Sequence, residues 1–86
     1  MKYTLKAVNK SNLFTEDIEV LCGSIVVGKI YKDVNNEKPK KYSCKMVLSN
    51  DAYLTKIAFS NDYDYCMVYI KQKFEAFLKQ LKEKDE

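Results

Sequence analysis

Three cysteines, two close pairs of carboxylates and a set of lysines are the residues of this chain that could do chemistry. With no histidine anywhere in its 86 residues, Ser-His and Cys-His nucleophile pairs and histidine-based metal sites are excluded at once. The carboxylate pairs are Glu16 with Asp17 and Asp62 with Asp64, and two neighbouring carboxylates can in principle divide acid and base roles. Asp62 and Asp64, however, lie where a helix begins and needs side-chain oxygens for its unpaired N–H groups, so capping is the expected role. Cys66 falls near the same helix start, where the dipole lowers a thiol pKa, which makes it the one candidate nucleophile. It also belongs to the apolar stripe of that helix, and a buried cysteine behaves as a small hydrophobe.

Other familiar sites lack their parts. Cys22, Cys44 and Cys66 include no Cys-x-x-Cys pair and their spacing resembles no zinc knuckle, so neither a metal nor a cofactor is expected. An odd number of cysteines also speaks against a secreted disulfide scaffold, which makes the Asn9-Lys10-Ser11 sequon irrelevant. The only glycines are Gly23 and Gly28, too few for a phosphate-cradling loop. Met1 to Lys6 has no apolar run after its charge and the longest aliphatic stretch is Ile25-Val26-Val27, so neither a signal peptide nor a membrane span is expected and the chain is assigned to the cytoplasm. The expectation is a protein that is not an enzyme.

The cations carry more information. All fifteen basic residues are lysines. Bidentate recognition of guanine, carboxylate or phosphate is arginine chemistry, whereas lysine supplies a mobile, well-hydrated point charge. Lys29, Lys32, Lys38, Lys40, Lys41, Lys45 and Lys56 outnumber Asp33, Glu37 and Asp51 by four, against +3 for the whole chain, so the charge is concentrated in the middle. Period-2 alternation puts Lys41, Lys45 and Lys56 on the sheet face opposite Tyr42, Cys44, Met46, Ile57 and Phe59. With Lys29, Lys32, Tyr31 and Tyr53 beside them, they form a candidate basic and aromatic face for single-stranded nucleic acid.

These residues must be positioned by a small α+β domain, an antiparallel meander of four to five strands packed by one long C-terminal amphipathic helix. Tyr3, Leu5 and Ala7 alternate with Lys2, Thr4 and Lys6 as a half-buried strand, and Asn9 to Asn12 read as a turn. Residues 13–22 fit both helix and strand, with strand favoured for 17–22. Gly23-Ser24 suits a tight hairpin into a β-branched strand, Ile25 to Tyr31, in which Gly28 marks a bulge or a close helix approach. A turn over Asp33 to Pro39 leads to alternation from Lys41 to Ser49. Asn50 to Tyr53 reads as a four-residue hairpin loop, with a last strand through Thr55, Ile57 and Phe59. Met67, Ile70, Phe74, Phe77, Leu78 and Leu81 recur at helical spacing, and residues 81–86 read as a fraying tail of a single domain spanning 1–86.

One further pattern bears on function. Through Ile18, Val20, Leu21, Ile25, Val26, Val27 and Ile30 the chain is apolar on both strand faces, yet one helix covers only one. Ile18, Val20, Ile25 and Val27 are therefore a candidate apolar interface, to be covered by the N-terminal strand, by a protein partner or by a second copy in a homodimer. The expected function is a small binding protein that occupies a surface of a macromolecular partner, with nucleic-acid binding through the lysine and tyrosine face as the alternative. A composition rich in lysine, asparagine and tyrosine suggests an A+T-rich genome of the kind low-G+C bacteria and their phages carry. In a phage or mobile element, an inhibitor of a host enzyme, including a defence complex, is the natural version of that reading.

Overall fold

The computed structural model describes residues 3–10, 16–32 and 41–84. Five strands, β1 (Leu5–Asn9), β2 (Glu16–Cys22), β3 (Ile25–Lys32), β4 (Tyr42–Met46) and β5 (Ala58–Ser60), form one antiparallel sheet in chain order, followed by α1 (Tyr63–Lys84). The architecture is the α+β meander that the alternation predicts. The ambiguous segment is strand from Glu16 onward, while residues 11–15 and the expected turn over Asp33 to Pro39 lie outside the described residues.

Local chemistry sets most boundaries. Gly23 opens the β2–β3 hairpin at φ 63°, a left-handed conformation that a residue without Cβ adopts at no steric cost. At the start of α1, the Ser60 Oγ accepts the Asp62 N–H at 3.0 Å and the Asp62 Oδ1 accepts the Asp64 N–H at 2.9 Å, so Asp62 is the N-cap and Asp64 sets its negative charge in the first turn. The helix runs from Tyr63 to Lys84, and Leu81 in its last turn is exposed.

Two expectations for the sheet are corrected. β4 ends at Met46 and β5 is only three residues long, because the segment between them is not a short hairpin loop. Asp51 organises it instead: its Oδ1 accepts the N–H groups of Tyr53 (2.8 Å) and Leu54 (3.4 Å), and its carbonyl accepts the Thr55 N–H (3.0 Å). This single helical turn drives Leu54 into full burial. The longer path inverts the phase of β5, so that Ala58 pairs with Cys44 on the helix side and Phe59 pairs with Ser43 on the other.

The second correction concerns β3. Val20 pairs with Gly28 but Leu21 pairs with Val26, leaving Val27 as the extra residue of a bulge. Both Val20 and Val27 are fully buried beneath the helix, in a core completed by Ile30, Cys44, Cys66, Ile70 and Phe74. They are therefore core residues and present nothing to a partner. Ile18 packs against the same core, and Ile25, at 57% exposure, sits at the hairpin end.

Beside the bulge the helix comes as close as backbone permits. A Cβ built on Gly28 would stand 2.6 Å from Cγ2 of Ile70 and 3.0 Å from the Lys45 carbonyl. Gly28→Ala is therefore expected to cost about 1–3 kcal/mol through overpacking. Ile70→Ala alone should cost about 2–5 kcal/mol. Because Ile70→Ala removes the side chain that the new methyl at residue 28 would strike, the double variant should lose clearly less than the sum when urea midpoints are compared; strict additivity would show that Gly28 does not seat the helix.

Candidate functional site

Pairing register assigns each strand residue to a face. The face away from the helix carries three rows: Lys6, Leu21 and Val26; Val8, Glu19, Lys29 and Lys45; and Asp17, Tyr31, Ser43 and Phe59. β1 lies in the plane of the sheet, paired to β2, so it does not fold over this face. Nothing else among the described residues does either.

Of the seven residues expected on a basic and aromatic face, the structure brings three together there: Lys29, Tyr31 and Lys45. Lys32 belongs to the helix side, where its Nζ lies 3.3 Å from Glu16 Oε2 in a partly exposed ion pair. Lys41 is tied to the helix start, its N–H donating to Asn61 Oδ1 at 2.8 Å and its ammonium resting 5.6 Å from the centre of the Tyr42 ring. Tyr53, in the segment before β5, lies against the helix flank, on the opposite side from Tyr31, and the Lys56 backbone carbonyl meets the same flank through the Tyr69 hydroxyl while its side chain is exposed. The open face thus holds Lys6, Lys29 and Lys45 against Asp17 and Glu19, a mixed surface rather than a basic one.

Tyr53 and Lys56 instead join a group that sequence reasoning missed. The Lys73 ammonium sits 3.7 Å from the centre of the Tyr53 ring and 5.4 Å from that of Tyr69. Tyr65 stacks on Tyr69 at 6.3 Å with 27° between the rings, and the Tyr69 hydroxyl donates to the Lys56 carbonyl at 2.7 Å. Tyr53 is 68% exposed and Tyr65 49%, so the rings face solvent while their geometry is held. Tyr65, Tyr69 and Lys73 at i, i+4 and i+8 form one flank of α1, a spacing visible in the sequence. That they meet Tyr53 depends on the Asp51 turn. Phe59 (54% exposed) and Ile57 add apolar surface along the neighbouring β5 margin.

The thiols tell a different story. Cys44 on β4 and Cys66 on α1 are both fully buried in the same core cluster. Burial, reinforced by the neighbouring Cys66 thiol, pushes Cys44 up to about 12, and burial also raises Cys66 in spite of its place near the helix N-terminus. Cys66 is thus held as a protonated core residue. Across the core, the Tyr3 ring meets Phe74 edge-on at 5.0 Å, and burial together with the Glu75 carboxylate pushes its hydroxyl up to about 12.

Among the described residues no three Cys, Asp or Glu side chains gather to hold a metal ion, and no helix is long and apolar enough to cross a membrane. No family model, curated protein or solved structure matches the chain.

The raised acids set a pH dependence. Groups whose pKa is higher in the folded state stabilise it fully below their unfolded values, 9.0 for Cys44 and 10.0 for Tyr3, and that contribution disappears as pH climbs towards about 12. The urea midpoint should therefore fall steadily above about pH 9. A thiol-reactive disulfide reagent at neutral pH should modify half-buried Cys22 well before Cys44 and Cys66. Equal labelling of all three would show that the core pair is not sealed.

Proposed function

We propose that this chain is a non-catalytic binding protein that docks on a protein partner through the flank formed by Tyr53, Tyr65, Tyr69 and Lys73. The observation that carries this reading is the convergence of three tyrosines and a lysine from the 47–57 segment and α1 into one exposed, geometrically held group. Tyrosine dominates the energetics of protein interfaces because a large ring with few rotatable bonds buries much area at little entropic cost. Here the rings are already ordered by each other and by the Lys56 carbonyl, so still less order has to be imposed on binding. The Lys73 ammonium among the rings makes an acidic group on the partner the complementary contact. In a phage or mobile element that partner would be a host enzyme, defence complexes included, inhibited by occupation of its surface in the cytoplasm.

Capture from lysate of the source or host cells compares the parent with Tyr53→Ala/Tyr65→Ala/Lys73→Ala. The parent should retain a protein in near-stoichiometric amount. The variant, folded by circular dichroism, should lose it by at least about 100-fold, as two hot-spot truncations imply. Equal recovery by both proteins would refute the reading.

Lys29 and Lys45 favour a second reading. They oppose each other directly across β3 and β4, with Glu19 on the other side of Lys29 and Tyr31 in the adjacent row, so Lys45 has no carboxylate opposite it in that row. This predicts binding of a labelled single-stranded oligonucleotide that weakens steeply with salt and is lost in Lys29→Ala/Lys45→Ala. Equal binding by parent and variant would leave the second reading without support.

A further inference from the structure

We propose that the open sheet face is the contact between two copies of this chain, packed face to face about a two-fold axis that runs parallel to the strands between β2 and β3. This goes beyond the docking flank, which lies on the other side of the sheet and stays exposed in such a dimer.

The register fixes which side chains meet. Across the centre of the open face, Leu21 pairs with Val26, Glu19 with Lys29 and Asp17 with Tyr31. A two-fold axis between these strands lays β2 of one copy over β3 of the other without shifting the rows. Leu21 then meets the other copy's Val26, Glu19 its Lys29 and Asp17 its Tyr31, and each contact occurs twice by symmetry. The three contacts are apolar on apolar, anion on cation and carboxylate on phenol. Within one copy Glu19 already neighbours Lys29. Two copies build an alternating square in which every carboxylate has two ammonium neighbours, so the pairing disfavours any arrangement that sets like charges together.

Axes that run along a single central strand fail on charge. An axis along β2 sets Glu19 on Glu19 and Asp17 on Asp17, and one along β3 sets Lys29 on Lys29, contacts that repel. The area is adequate for a weak dimer. At about 4.8 Å between strands and 3.4 Å per residue, the facing strands present on the order of 400–500 Å² per copy. The total lies near the roughly 1,000 Å² that separates specific contacts from incidental ones, the size of a weak, reversible contact. The aligned stacking of two twisted sheets is a standard solution for covering such a face.

Light scattering and sedimentation equilibrium over a concentration series up to about 1 mM read the outcome. The parent should approach twice its 10.1 kDa mass and dissociate on dilution. Glu19→Lys alone and Lys29→Glu alone should each remain at the monomer mass, since each homodimer would place like charges together. An equimolar mixture of the two should dimerise again, which a purely intrachain role for the pair would not produce. A parent that stays monomeric throughout, reversals that still dimerise alone, or a mixture that stays monomeric would each overturn the proposal. Should either reversal unfold the chain, Leu21→Ser/Val26→Ser probes the same face without touching charge. A parent dimer that persists in that variant would likewise overturn it.

Discussion

The distance between helix and sheet is fixed at Gly28, and the surfaces on both sides follow from it. The β3 bulge turns two successive residues towards the helix, Val27 to fill the core and Gly28 to leave it open, and Ile70 enters the space that a side chain would occupy. A helix seated there covers β4 and β5 more than β1, which brings its Tyr65, Tyr69 and Lys73 flank against the segment between β4 and β5. On the far flank the Tyr3 ring reaches Phe74 and closes the core above β1. Small changes in helix height would therefore be felt at the tyrosine group as well as in the core.

The sequence made the larger features legible because their signals are local. Alternation identified the strands, Ser60, Asp62 and Asp64 marked the helix start, and Gly28 pointed to a bulge or close approach and turned out to serve as both. What was not legible depends on parity. A single extra residue at Val27 reverses the face of everything before it in β3, and the Asp51 turn does the same for β5. Asn50-Asp51-Ala52-Tyr53 has the composition of a hairpin loop, and only the burial of Leu54 decides that it folds as a helical turn. Phe59 is consequently outside where it was expected inside, and Tyr53 is on the helix flank where the open face was expected.

The same parity reduces the apolar excess around residues 18–30. Val20, Val27 and Ile30 are all absorbed by one helix, which strict alternation would not allow for both Val27 and Ile30 together with Gly28. What remains uncovered is narrower: Leu21 and Val26 in one row, with Tyr31 and Phe59 two rows away and charge between them. A surface of that kind is too polar to demand burial and too patterned in charge to be indifferent to what approaches it. Its selectivity lies in which rows can meet without placing like charges together.

The absence of arginine makes the geometry around Lys73 more consequential. Arginine carries its own orientation in a planar fork, while lysine ends in a freely rotating ammonium that gives up much rotamer freedom when a partner fixes it. Here the Tyr53 and Tyr69 rings restrain that ammonium before any partner arrives, and the Asp51 turn and the Lys56 carbonyl restrain the rings. The direction that a guanidinium holds covalently is thus supplied by neighbours. A chain limited to lysine for its cations can in this way present a positively charged site of defined direction, provided that the turn between β4 and β5 keeps its shape.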